Sequence, residues 1–166
     1  MLIRRAEEND VEILKSIATA MKARHEADYF GRCLAEQADA RRTILLAEES
    51  GRGHGYVMIN WLPLYPPFRR LGIPEIQDLN VVPEARRQGL GAKLVDACED
   101  AARQAGKTEM GISVGLGAGF GAAQRLYVRR GYIPDGAGVM HDELPVTAGE
   151  MRPVDDMLTL KLVKIL

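Results

Sequence analysis

The stretch whose reading decides the fold is Glu75-Ile76-Gln77-Asp78-Leu79-Asn80-Val81-Val82-Pro83-Glu84-Ala85-Arg86-Arg87-Gln88-Gly89-Leu90-Gly91-Ala92. A β-leaning run ends at Pro83, a short turn carries Arg86 and Arg87, and two glycines open a long helical pattern. Leu94, Cys98, Ala101 and Ala105 continue that pattern at helical spacing, and Gly106 is a stop signal. Strand, glycine turn and helix start, in this order, aim backbone N–H groups and the positive end of a helix dipole at one spot. Such a spot favours anions, phosphates above all. Gly89 and Gly91 carry no side chains to keep a pyrophosphate off the backbone, and the two arginines add charge. The strand before the turn bears Glu75, Asp78 and Asn80, an odd polar load for a strand inside a sheet. Taken alone, Arg-x-x-Gly-x-Gly also fits an ordinary strand-to-helix turn.

The chain has 166 residues, enough for a single domain over residues 1–166 with a sizeable core. With 46% hydrophobic and 27% charged residues it reads as globular rather than disordered. A net charge of −1 argues against a general nucleic-acid binder. No apolar run has the length of a membrane span, and Met1-Leu2-Ile3-Arg4-Arg5 lacks a signal-peptide core. The expectation is therefore a cytoplasmic protein with no membrane partner. Cys33 and Cys98 read as buried thiols rather than a disulfide framework, and the scattered His25, His54 and His141 suggest no metal site.

Taken in order, residues 2–5 read as a first strand, and Asn9 or Asp10 caps a helix whose apolar face holds Val11, Leu14, Ile17, Ala18 and Met21. Residues 26–38 form a second helical stretch, bent or broken at Gly31. Residues 43–49 and 55–62 make a hairpin around a Ser50-Gly51-Arg52-Gly53 turn. A proline-rich loop follows over residues 63–74, with Tyr65, Phe68, Arg69 and Arg70, and a loop of that length is often functional. After the long helix, residues 107–114 form a strand that should pair in parallel with the key strand through a right-handed crossover. Four glycines, Gly115 to Gly121, lead into a helix ending near Arg130, and Tyr132 and Ile133 begin a strand. Residues 134–156 read as irregular. A final strand, residues 157–165, pairs within the chain or with a neighbouring copy, which leaves a homodimer open.

Two blocks then carry a resemblance. Arg86, Gly89 and Gly91 match Gln/Arg-x-x-Gly-x-Gly/Ala, and Ala123-Gln124-Arg125-Leu126-Tyr127-Val128-Arg129-Arg130-Gly131-Tyr132 matches Ala-x-x-Leu-Tyr-x-x-x-Gly-Tyr/Phe. In these blocks, over about residues 55–132, the chain resembles the GCN5-related N-acetyltransferase (GNAT) superfamily. The resemblance implies an α+β fold: a central mixed, largely antiparallel sheet of six or seven strands, flanked by about four helices. Its parallel pair would splay, residues 79–82 facing residues 112–115, with the pantetheine arm of acetyl-CoA in the gap. It also implies an acetyl-CoA-dependent N-acetyltransferase acting without a metal, by direct attack of a primary amine on the thioester.

The site residues follow from the same match. Arg86, Arg87, Gln88, Gly89, Leu90, Gly91 and Ala92 would hold the pyrophosphate, mainly through backbone N–H groups. Leu79, Val81 and Val82 would line the pantetheine, with the main chain near Val81 and Val82 serving the thioester oxygen. Tyr127 is the candidate acid for the leaving thiolate. Amine deprotonation needs a base or a water-linked carboxylate, because alkyl ammonium pKa values lie near ~10. Glu75 matches the base position of the histone-acetyltransferase branch, Asp78 is its rival, and water-mediated proton loss is the third choice. The second block often carries an Asn where this chain has Phe120, which leaves that cofactor contact to backbone or to Gln124.

Two further readings stay open. Gly117-Ala118-Gly119-Phe120-Gly121-Ala122 fits the dinucleotide pattern Gly-x-Gly-x-x-Ala, but too little chain remains to complete that fold. A catalytically silent acetyl-CoA-binding module is the other. The acceptor would approach past the early helices, the 63–74 loop and the late irregular stretch. That stretch carries Asp135, Asp142, Glu143, Glu150, Asp155 and Asp156 against Arg152 alone, an acidic lip suited to a cationic amine.

Overall fold

The computed structural model describes residues 1–23 and 25–166. The strands are β1 (Leu2–Arg5), β2 (Arg42–Glu49), β3 (Arg52–Asn60), β4 (Glu75–Val81), β5 (Glu109–Gly115), β6 (Ile133–His141), β7 (Leu144–Pro145) and β8 (Leu158–Ile165). The helices are α1 (Val11–Ala20), α2 (Tyr29–Ala38), α3 (Pro66–Leu71), α4 (Leu90–Gln104) and α5 (Gly121–Arg129). All the strands join one sheet, ordered β1-β2-β3-β4-β5-β8-β6-β7. Among the described residues only β4 and β5 run parallel, and every other neighbouring pair is antiparallel.

Adjacent residues of a strand point to opposite faces, and two positions on β3 use this to set the layers. Tyr56 meets Phe30 of α2 edge to face at 5.5 Å. A Cβ on Gly55 would lie 3.3 Å from Leu94 of α4, so α2 and α4 cover opposite faces. The core runs between them through Leu14, Ile17, Leu46, Val57, Leu94 and Ile112. Helix α4 stops where its sequence says it should, with Gly106 at a φ of +73° that favours glycine.

The parallel pair is the mixed sheet's weak seam. β4 and β5 are registered only at Glu75↔Gly111 and Ile76↔Ile112, after which the strands part. On its other side β4 is bulged. Tyr56 pairs with Asn80 and Met58 with Gln77, so Val57 alone faces both Asp78 and Leu79, and Asp78 adopts a φ of +50°. A bulge bends its strand and re-aims a side chain, and here it turns β4 away from β5.

Three local expectations change. Residues 63–74 are not an open loop: Pro66 starts α3, and Tyr65, Phe68 and Ile73 are buried with Met140 in a second small core. The two glycines of β5 make room on its surface, since a Cβ on Gly111 would lie 2.3 Å from Phe68. The late stretch contains β6 and β7, which brings the sheet to eight strands among the described residues. Helix α2 begins at Tyr29 and runs unbroken through Gly31.

Candidate active site

Where β4 and β5 part, a cleft of about 470 Å³ opens. Asp78, Leu79 and Tyr127 line it, which unites three of the residues singled out in the sequence. His25, Ser113, Phe120, Glu143 and Asp156 also line it. No Lys or Arg does so among the described residues, and the charged side chains they contribute to its walls, Asp78, Glu143 and Asp156, are acidic.

Tyr127 sits on α5 with only 5% of its surface exposed. Burial first, then the neighbouring Cys98, pushes its phenol up to about 12. The hydroxyl therefore keeps its proton at neutral pH, and it makes no hydrogen bond to another described residue. A proton donor with no partner among the described residues thus lines the gap between the strands.

Asp78 is aimed by its bulge. Its carboxylate accepts a hydrogen bond from the Tyr29 hydroxyl, and Tyr29 in turn stacks on His25 with ring centroids 4.1 Å apart. Burial and the Asp78 charge both hold the Tyr29 phenol far above its ordinary value, so Tyr29 stays the donor of this pair. Glu75 is elsewhere. It is 1% exposed and does not reach the cleft. Its carboxylate accepts from Ser113 Oγ at 2.6 Å, Gln77 Nε2 at 2.9 Å and Lys161 Nζ at 2.9 Å. Held by three donors and walled off from the cleft, this carboxylate does not reach a substrate amine, and the expectation of Glu75 as a direct base is corrected on that ground.

The glycine corner lies at the start of α4. Gly89 takes a φ of +78°, in open space, and no side chain caps the helix. The first N–H groups of α4, on Leu90, Gly91 and Ala92, have no partner inside the helix, as at any helix start. A Cβ on Gly91 would meet nothing nearer than Leu126 of α5 at 3.5 Å. This cradle, open above the backbone and positive by its dipole, fits a diphosphate. The Leu90 side chain belongs to the core.

The polar side chains around the corner are mostly spoken for. Arg86 turns back, its Nε donating to the Val81 carbonyl at 3.0 Å, instead of pointing outward. Gln88 Nε2 donates to the Glu84 carbonyl at 3.0 Å. Arg87 is exposed, with a φ of +61° and no ion-pair partner among the described residues. Val82 N–H donates to the His54 carbonyl at 3.0 Å and is not available to a ligand. By the alternation of an antiparallel ladder, the Val81 N–H points the other way, into the gap. Gln124 does not line the cleft; its Nε2 donates to the Gly115 carbonyl at 2.9 Å and secures the end of β5. Phe120 fills the space above Gly115, where a Cβ would lie 2.4 Å from its ring.

Sequence reasoning missed His25 and Ser113 as wall residues and named Glu143 only as one of six acids in an acidic lip. His25 lies outside any regular element, and the other two depend on β5 and the β6–β7 turn meeting across β8. For Glu143 the late excess of acidic residues was the one available signal.

Comparison with known proteins agrees with this geometry. Residues 11–132 match the acetyltransferase (GNAT) family. YhfO of Bacillus subtilis (strain 168), an uncharacterized N-acetyltransferase, is 35% identical over 108 residues, covering 63% of this chain and 67% of that protein. The fold is shared with ribosomal-protein-alanine N-acetyltransferase from Brucella melitensis, with a TM-score of 0.74, 22% identity and full coverage of both chains. It is shared too with yncA from Salmonella typhimurium, solved with its cofactor acetyl-CoA, at a TM-score of 0.70 and 23% identity over 98% of this chain and 91% of that one. The matched span takes in both the parted strands and the glycine corner, and the chain belongs to the acetyltransferase (GNAT) family.

Proposed function

We propose that the protein transfers an acetyl group from acetyl-CoA to a primary amine by direct attack, with no covalent enzyme intermediate. The observation that carries this reading is the parting of β4 and β5 after two registered pairs, with the Tyr127 phenol, unpartnered among the described residues, at the gap. Acetyl-CoA, when bound, supplies an activated acyl carbon and a thiolate leaving group. The chain's residues do the rest. The α4 cradle holds the diphosphate, and the Val81 N–H serves the pantetheine or the thioester oxygen, where a fixed donor is worth most as charge builds. Tyr127 gives its proton to the departing sulfur. Asp78, directly or through water, takes the proton that the ammonium form of the amine must lose before its nitrogen can attack, and the second proton, shed by that nitrogen as the adduct collapses, returns through solvent to the Tyr127 oxygen.

The acidic walls favour a cationic acceptor, such as a polyamine, an aminoglycoside or a lysine side chain. Acetyl-CoA binding by calorimetry, together with thiol release over a panel of such amines, tests the reading. CoA binding without turnover on any amine would leave a binding module, and no CoA binding would remove both readings.

The two carboxylates of β4 are separable by mutation. Asp78→Asn should lower kcat by about tenfold to a hundredfold and displace the acidic limb of its pH profile toward the amine's own ionisation. Glu75→Gln should keep that limb and act mainly on stability, because it weakens a buried ion pair. Rate–pH profiles and thermal melts of both variants check the assignment, and a displaced limb in Glu75→Gln alone would reverse it.

A further inference from the structure

Lys161 lies in the middle of β8, and its side chain is 0% exposed. A wholly buried ammonium is costly unless several acceptors surround it. Glu75 Oε1 stands 2.9 Å from Nζ, and Glu143 grips the same nitrogen with Oε1 at 2.8 Å and Oε2 at 2.6 Å. The Tyr65 ring lies beneath it, with its centroid 4.9 Å away. The sheet is built around this point. Between Pro134↔Leu162 and Val139↔Leu160, β8 contributes Lys161 alone while β6 loops out residues 135–138, and Asp135 in that loop accepts from the Tyr65 hydroxyl at 2.7 Å. Ser113, the cross-strand partner of Lys161, donates to Glu75.

Two carboxylates share one ammonium, so one negative charge is left over. Glu75 is sealed in, whereas the Glu143 side chain is 33% exposed and borders the cleft. Glu143 stands in the two-residue turn between His141 and Leu144, where Asp142 and Glu143 take φ values of +50° and +64°. Such a turn has no side-chain packing of its own to fix where its carboxylate points. Lys161 supplies that.

We propose that Lys161 is a positioning residue for the acceptor end of the cleft. Balanced from behind by Glu75, it fixes the Glu143 carboxylate on the cleft wall, where Glu143 meets the ammonium form of the incoming amine. This inference rests on the amine acetyltransferase reading and assigns Glu143 to recognition of a cationic acceptor, and Lys161 to holding it there.

Two measurements test it, and one needs no acceptor. Hydrogen exchange on the full chain with CoA bound should quicken about tenfold or more at Asp142, Leu144 and Val146, whose amides are held across the turn, in Lys161→Met, with the amides of α4 unchanged. Exchange that rises throughout the sheet, or stays fixed at the turn, overturns the positioning role. In transfer to the best amine of the panel, Glu143→Gln and Lys161→Met should each raise the amine KM about tenfold, with the acetyl-CoA KM within about twofold. The double variant should be no worse than the poorer single one, because Lys161 acts through Glu143. Additive losses, or a fall in kcat at constant amine KM, overturn the proposal. Glu143→Gln leaves the Lys161–Glu75 pair intact and carries the kinetic test if Lys161→Met does not fold. If CoA binds but no amine is acetylated, the reading of the function fails, while the exchange result still decides whether Lys161 anchors the turn.

Discussion

Tyr127→Phe should lower turnover about a hundredfold while leaving acetyl-CoA affinity within about twofold, the signature of a lost general acid. The ring fills its place on α5 in either case, so packing against Cys98 and Tyr132 is kept and only the hydroxyl is removed. That hydroxyl has no protein partner among the described residues, so its loss leaves no buried group stranded. The pH dependence follows from burial. An acid pushed up to about 12 is lost only as pH rises through that value, so its own ionisation should not limit the rate at any lower pH. An alkaline limb centred well below 12 would therefore belong to another group. Single-turnover acetyl transfer across pH, beside calorimetry with acetyl-CoA, measures both halves. Turnover equal to the parent across pH would remove Tyr127 from the chemistry.

Gly91→Glu should weaken acetyl-CoA binding about a hundredfold or more without harming the fold, by setting a carboxylate where the diphosphate is to lie. The two effects have opposite signs, which makes the result diagnostic. A negative side chain in the first turn of a helix complements the dipole by about 0.3–1 kcal/mol, and Glu is a better helix former than Gly. Space is available, since a Cβ there reaches only ordinary contact with Leu126. Melting temperature should hold or rise as affinity falls. Unchanged affinity in a folded variant would place the diphosphate elsewhere, and with it the donor.

The parts legible in the sequence were those written in local chemistry. The start and stop of α4 are set by Gly89 and Gly106, and the Tyr127 position by a helix whose spacing is plain. The parallel pairing of β4 with β5 followed from the crossover helix between them. What escaped was set by long-range pairing. Residues 134–156 gave no clean alternation because β6 loops out opposite Lys161, and a two-residue β7 is too short to leave a pattern. Residues 63–74 hid α3, because Phe68 and the preceding Tyr65 are buried against Met140 of β6 and Val163 of β8 rather than by any helical periodicity. Glu75 illustrates the same limit. Its match to the base position of the histone-acetyltransferase branch suggested a base, but the lysine that claims it lies 86 residues away in sequence.

Arg86 changes how the donor is received. Its guanidinium joins the turn to the last carbonyl of β4 and touches Met21 Sδ at 3.1 Å, beyond the end of α1. The corner is thus braced from two sides before anything arrives, and little chain freedom remains to be surrendered at docking. Capture of the thioester should accordingly be limited by encounter rather than by rearrangement, with association rates that follow solvent viscosity.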